Sequence, residues 1–226
     1  DHPCMRFQRM SKNWTHGWDE EMVRKLRLVY FAMIAETDAM VGRVLSAVEE
    51  AGIADNTYVI FTSDHGECTG EHRQYYKMNL YEPSARIPMV IAGPGLEEGN
   101  RVENLCSLVD IYPTLMDMAG RDCPDGLDGH SLLPACRGEK DDRPDWVLGE
   151  YHDSTMNTGS FMLRRDRWKY MAFVGYEPML FDLPYSLSTK AFLFARGRES
   201  YDETRYGGVV SVGHLFKNRW YGEVAT

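Results

Sequence analysis

No apolar run in the chain is long enough to cross a bilayer, so no segment reads as a membrane span. A basic excess is also missing. Lys and Arg number 25 against 34 Asp and Glu, a net charge of −9, whereas nucleic-acid binding needs clustered cations to neutralise phosphates. There is no Cys-x-x-Cys pair. Cys4, Cys68, Cys106, Cys123 and Cys136 therefore read neither as a zinc ribbon nor as a thioredoxin-like centre, and their odd count leaves at least one thiol free or paired outside the chain. Internal repeats and low-complexity tracts are absent. The sequence opens Asp1-His2-Pro3, without an initiator Met or a signal peptide, which reads as an internal or processed start.

What is present suits a globular protein. The 226 residues are 43% hydrophobic and 12% aromatic, enough for a sizeable core in one domain with a smaller partner. Asn13-Trp14-Thr15 is a glycosylation sequon and points towards the secretory route.

Apolar residues from Met22 to Val48 recur near helical spacing, with Asp19, Glu20 and Glu21 ahead of them and Gly52 behind. This predicts one helix over 19–51 whose Met-rich face is core. Tyr58 to Thr62 is a short continuous apolar run, as expected of a strand buried on both faces of a parallel sheet. Ile87 to Ala92 reads as a second such strand, stopped by Gly93-Pro94-Gly95, and 107–119 as a shorter helix. Together these predict α/β layering. The charged stretch Arg137 to Asp145 marks a boundary. Beyond it, Trp146 to Tyr151 reads as a strand, and Ser160–Arg164 and Trp168–Ala172 as a hairpin turning at Asp166, giving a small antiparallel sheet. The expected domains are 1–136, 137–183 and an unassigned tail, 184–226, in which no period is legible.

The chemically suggestive stretch is Ser63-Asp64-His65-Gly66 with Lys77 downstream. A carboxylate and an imidazole just past the C-terminal end of a buried strand lie where open α/β sheets collect ligands. A carboxylate there suits a divalent cation, and Lys77 can meet an anionic substrate. Taken alone, Asp-His-Gly is better read as a turn sequence.

The wider pattern changes that weighting. Phe61-Thr62-Ser63-Asp64-His65-Gly66-Glu67, Gly70-Glu71-His72, Tyr76-Lys77-Met78-Asn79-Leu80-Tyr81-Glu82, Arg86-Ile87-Pro88-Met89-Val90 and Gly93-Pro94-Gly95 resemble, in order, the second half of the sulfatase family. Val109-Asp110-Ile111-Tyr112-Pro113-Thr114-Leu115, Leu127-Asp128-Gly129-His130-Ser131, Arg167-Trp168-Lys169-Tyr170 and Leu180-Phe181-Asp182-Leu183 continue the resemblance.

The resemblance implies an alkaline-phosphatase-like α/β sandwich, of which this chain is the C-terminal part of the large domain plus a small antiparallel-sheet domain. It implies hydrolysis of a sulfate ester in a sulfated glycan, with 2-O-sulfated glucuronate of glycosaminoglycans as the expected substrate, in a lysosomal or secreted protein. The chemistry it implies uses one Ca2+ ion and a formylglycine made from cysteine, whose hydrate attacks sulfur. By motif match Asp64 and His65 are metal ligands, Asp64 the firmer because calcium favours oxygen donors. Lys77 matches the catalytic lysine that contacts sulfate.

Other residues stay open between two readings. His72 and Arg73 either line the substrate pocket, where an Arg fork suits a sugar carboxylate, or form surface pairs. His152 is either a substrate contact or a surface histidine. Asp110 and Arg86 read as structural and Cys68 as inert.

None of the five cysteines begins a Cys-x-(Pro/Ala/Ser)-x-Arg nucleophile motif, and the family's paired metal-binding aspartates have no equivalent. The chain by itself is therefore expected to be inactive. The rival readings are a phosphodiesterase or phosphonate hydrolase of the same superfamily, and an inactive domain that binds sulfated glycans.

Overall fold

The structure, a computed structural model, describes residues 17–152, 158–177, 186–196, 203–215 and 219–225. Asn13, Trp14 and the Leu180–Leu183 motif lie outside them. Contacts divide the described chain into two compact units, one of residues 17–75 and 86–144, the other of 76–85 and the residues from 145 onward.

The first unit opens with helix α1, Glu20–Glu50. The Asp19 carboxylate accepts the Met22 amide at 2.8 Å, and Glu20 and Glu21 favour the positive end of the dipole. At the other end Gly52, at φ 66°, donates to Glu49 O while Ile53 donates to Val48 O, a Schellman stop that suits glycine. The helix is therefore specified by its own ends. Its apolar face, however, is not core: no α1 residue is buried, and Met22, Phe31, Met33, Met40 and Val44 are 50–63% exposed. Only a narrow strip meets the described chain. Val23, Leu26 and Tyr30 are half-buried, and Val23 lies where a side chain at Gly70 would stand.

Strands β1, Val59–Thr62, and β4, Met89–Ala92, are both present, but they pair antiparallel, from Val59 opposite Ala92 to Thr62 opposite Met89. This corrects the expected parallel arrangement, because a short apolar run carries no information on direction. It also corrects the expected burial, since Phe61 and Val90 are exposed. Between them lie β2, Cys68–Thr69, β3, Tyr75–Tyr76, and helix α2, Glu82–Ala85.

After β4, a 3-10 turn at Leu108–Asp110 leads into helix α3, Ile111–Met118, and α4 spans Leu133–Cys136. Asp110 organises this region. Its carboxylate accepts the amides of Ser107 at 2.8 Å and His130 at 2.9 Å, while its carbonyl accepts Thr114 Oγ1, which in turn accepts the Leu132 amide. Leu132 and Leu133 are buried against it. Arg143 closes the cluster with a bidentate pair to Asp141, Nε to Oδ1 at 3.0 Å and Nη2 to Oδ2 at 2.6 Å, and an Nη1 3.9 Å from Asp110.

The second unit is a six-stranded antiparallel sheet in the order β10-β9-β8-β7-β6-β5. Strands β5, Trp146–His152, β6, Thr158–Arg165, and β7, Trp168–Glu177, fall where the sequence predicts them, with Asp166 at φ 50° in the turn. The tail, unreadable from its sequence, supplies β8, Ser186–Arg196, β9, Glu203–Leu215, and β10, Arg219–Ala225. Met171, Ser160 and Lys169 are buried in this unit.

Candidate functional site

Strand β1 delivers the first group of candidates. Its last residue is Thr62, and the chain then turns through Ser63, Asp64, His65 and Gly66. The turn is built from local hydrogen bonds. Ser63 Oγ donates to His65 O at 2.7 Å, and the His65 amide donates to Asp64 Oδ1 at 3.0 Å. The Asp64 side chain is left 80% exposed.

The His65 ring is oriented by the same turn. Nδ1 lies 2.9 Å from Gly66 O, and since a carbonyl only accepts, the proton belongs on Nδ1. Nε2, the other ring nitrogen, lies 3.3 Å from Asp64 Oδ2. A backbone carbonyl fixing one ring nitrogen so that the other can ligate is the usual second support of a metal-binding histidine. Asp64 and His65 thus fit as two adjacent members of a cation shell. They do not make one alone, because calcium takes about six to eight oxygens. Among the described residues no group of three or more His, Cys, Asp or Glu is placed to hold a metal.

Beyond β2 the chain makes a tight turn closed by Gly70 N donating to Gln74 O at 2.9 Å. His72 and Arg73 share this turn, both exposed and both at positive φ, 54° and 58°. Glu71 anchors it to α1: it accepts the Thr69 amide at 2.6 Å and pairs with Arg27, 3.2 Å away. Partial burial pushes the Glu71 carboxyl up, but the Thr69 and Glu71 amides and Arg27 outweigh that and hold it below its ordinary 4.5. Trp18 packs on Tyr75 with ring centroids 5.7 Å apart.

Lys77 is exposed and belongs to the other unit. It sits between Tyr76 at φ 68° and Met78 at φ 49°, and its carbonyl accepts Asn79 Nδ2 at 2.6 Å. Five non-glycine residues among those described have positive φ, and four of them fall between His72 and Met78. Such backbone persists only where surroundings hold it, and it concentrates at functional segments.

His152 ends β5, exposed, with Nε2 3.3 Å from Glu150 Oε2 and its ring edge-on to Phe161. The structure thus brings Asp64 to His65 and His72 to Arg73, and sets Lys77 and His152 in the sheet unit. Asn79, Glu82 and Lys169 stand inside the motifs read from the sequence, which gives them no role. Lys169 is 9% exposed and its Nζ lies 2.8 Å from Glu82 Oε1. The available signal was one charge of each sign inside otherwise apolar or aromatic runs.

Comparison with known proteins places the chain in a family. The sulfatase family profile matches residues 2–121, and the profile described as N-sulphoglucosamine sulphohydrolase, C-terminal, matches 70–187. Arylsulfatase K of Gallus gallus is 40% identical over 215 residues, covering 89% of this chain and 40% of that protein. The chain therefore spans about two-fifths of the length of the curated relatives it matches.

Among solved structures, a 2-O GAG sulfatase aligns with a TM-score of 0.65 at 31% identity, covering 69% of this chain and 35% of its own. The phosphonate monoester hydrolase of Silicibacter pomeroyi aligns with a TM-score of 0.68 at 26% identity, covering 81% and 37%. The fold is that of the alkaline-phosphatase-like hydrolases, and the described residues of this chain combine helices with antiparallel sheets. With the family profile matching more than half of its residues, the chain belongs to the sulfatase family.

Proposed function

We propose that this chain is the C-terminal portion of a sulfuric ester hydrolase that removes sulfate from a sulfated sugar, 2-O-sulfated glucuronate of glycosaminoglycans being the substrate to test first. The observation that carries the reading is the Asp64–His65 pair, oriented by its own turn at the C-terminal end of β1, within a chain that belongs to the sulfatase family.

In this reading Asp64 and His65 contribute two donors to a calcium ion, Asp64 through its carboxylate and His65 through Nε2. Bound calcium supplies Lewis-acid stabilisation of charge on the sulfuryl oxygens. Lys77 presents an ammonium to the sulfate and offsets the same charge. His72 and Arg73 bind the sugar, the guanidinium being matched to the uronate carboxylate, and His152 is a further substrate contact. The formylglycine nucleophile belongs to sequence outside these 226 residues, since no cysteine here stands in the required motif. Asn13 carries a glycan, and the protein is lysosomal or secreted.

Sulfate release from a 2-O-sulfated glucuronide tests this. The complete enzyme carrying Lys77→Ala is expected to lose about 10²–10³-fold in turnover, the size of effect seen when one preorganised charge-stabilising donor is removed. Near-normal turnover would remove Lys77 from the chemistry. The 226-residue chain alone is expected to release no sulfate.

The phosphonate hydrolase alignment favours one alternative, a phosphodiester or phosphonate substrate on the same metal edge. Equal turnover of a phosphonate monoester and the sulfated sugar would select it.

A further inference from the structure

The segment 76–85 carries Lys77, and three observations in the sheet unit describe how it is held. The first is electrostatic. Arg164 on β6 and Lys169 on β7 are directly opposed across the hairpin, and like charges so placed repel. Both turn towards a single carboxylate, Glu82 Oε1, Lys169 Nζ at 2.8 Å and Arg164 Nη1 at 3.7 Å. With Lys169 only 9% exposed, water cannot substitute for that carboxylate. Docked Glu82 thus offsets the like charges that face each other across the hairpin.

The second observation runs from Glu82 back towards Lys77. Asn79 is buried, accepts the Tyr81 amide on Oδ1 at 2.9 Å, and donates from Nδ2 to the Lys77 carbonyl at 2.6 Å. Tyr81 O in turn accepts the amides of Ser84 and Ala85, at 3.0 and 2.8 Å, which opens α2. The third is steric. A Cβ at Gly149 on β5 would stand 2.9 Å from the Met162 terminal methyl and 3.9 Å from Leu80 Cδ2, so Leu80 approaches β5 at its glycine.

We propose that the Glu82–Lys169 ion pair, acting through Asn79, is the positioning device for Lys77. The pair pins α2 to the β6–β7 hairpin, Asn79 transmits that fixed point to the Lys77 carbonyl, and the left-handed backbone at Tyr76 and Met78 is held on either side. Glu82 and Lys169 touch no substrate. The inference rests on the assignment of Lys77 to sulfate, but the physical coupling is measurable without sulfate.

Hydrogen exchange by mass spectrometry on the full 226-residue chain tests it, with Lys169→Met removing the cation, Glu82→Gln removing the anion, and Lys169→Arg restoring a cation. In Lys169→Met and Glu82→Gln the amides of Tyr81, Ser84 and Ala85 should exchange at least about tenfold faster, because local opening no longer breaks the ion pair. The β5–β7 amides should stay within about threefold of the parent. Acylation of the Lys77 amine by an N-hydroxysuccinimide ester, read by peptide mass, should change in both variants and return towards the parent rate in Lys169→Arg.

Unchanged exchange at Tyr81, Ser84 and Ala85 in both variants would overturn the proposal. So would faster exchange spread evenly over β5–β7, which is the signature of a general sheet stabiliser, or a Lys77 acylation rate that ignores all three substitutions. A positive outcome here alongside full turnover of Lys77→Ala in the complete enzyme would keep the coupling and discard only the sulfate contact.

Discussion

Replacing Arg143 by Met tests the energetics of the first unit at its most sensitive point. The guanidinium side chain is 5% exposed, and its two carboxylate neighbours, Asp141 and Asp110, are 7% and 8% exposed. Asp141 takes the guanidinium bidentately, whereas Asp110 keeps the Ser107 and His130 amides and sees Arg143 only at 3.9 Å. Arg143→Met therefore leaves the Asp141 carboxylate without its counter-charge, held only by the Asn104 side-chain amide and the backbone amide of position 143. Breaking a buried pair by removing one partner costs about 3–5 kcal/mol, because the remaining charge is uncompensated.

The neighbouring Lys140–Asp142 pair provides the control. It is equally short, 2.8 Å, but both side chains are at least 80% exposed, so Lys140→Ala should cost below about 1 kcal/mol. Urea unfolding of the whole chain, followed through the far-ultraviolet signal, compares the two. Should Arg143→Met fold too poorly to titrate, Asp141→Asn/Arg143→Met removes the stranded charge and should recover at least about half the loss.

The acid limb gives a second check. Hydrogen bonding to Arg143 holds the Asp141 carboxyl below its ordinary 3.8. A lowered folded-state pKa contributes stability that is present above 3.8 and is lost as pH falls towards the folded value. Arg143→Met should flatten that limb. A cost equal to that of Lys140→Ala, with the acid limb unchanged, would refute the argument.

Further predictions are local. Glu71 is held below 4.5 by the Thr69 and Glu71 amides and Arg27 against the upward push of burial, so the stability it adds is present above 4.5 and disappears as pH falls through the lowered value. Trp18, stacked on the Tyr75 side of that turn, should report the loosening by fluorescence, and Glu71→Gln should abolish the transition. Gly129→Ala would set its Cβ on the Val109 carbonyl, which is backbone and cannot rotate away. It should destabilise the α3–α4 region by at least about 2 kcal/mol, visible as new proteolytic cuts within 107–136; a neutral effect would mean the turn shifts freely.

The parts of the fold that were legible share one property: their signal is local. Helix α1 announces itself through Asp19, two glutamates and Gly52, all within a turn of its ends. The β6–β7 hairpin is legible because Asp166 sits between two short apolar runs. What was lost depends on residues far apart. The antiparallel pairing of β1 with β4 is decided by partners 27 to 33 positions away, and four apolar residues read the same in either direction. Strands β8 to β10 show no clean alternation, with Gly207 and Gly208 in the middle of β9, so their extended form follows from pairing. The site divides likewise. Asp64, His65 and Lys77 were legible as motif residues, but nothing local shows that Lys169 faces Glu82 or that Arg143 faces Asp141.

The distance along the chain between Glu82 and Lys169 also has a temporal side. They are 87 residues apart, and the intervening segment 86–144 belongs to the other unit. On a ribosome adding about 5–20 residues per second, residues 76–85 leave the exit tunnel about 4–17 s before their partner strand leaves it. For that interval Glu82 has neither Lys169 nor Arg164 to meet, and the coupling proposed for the Lys77 loop forms only once β6 and β7 have emerged.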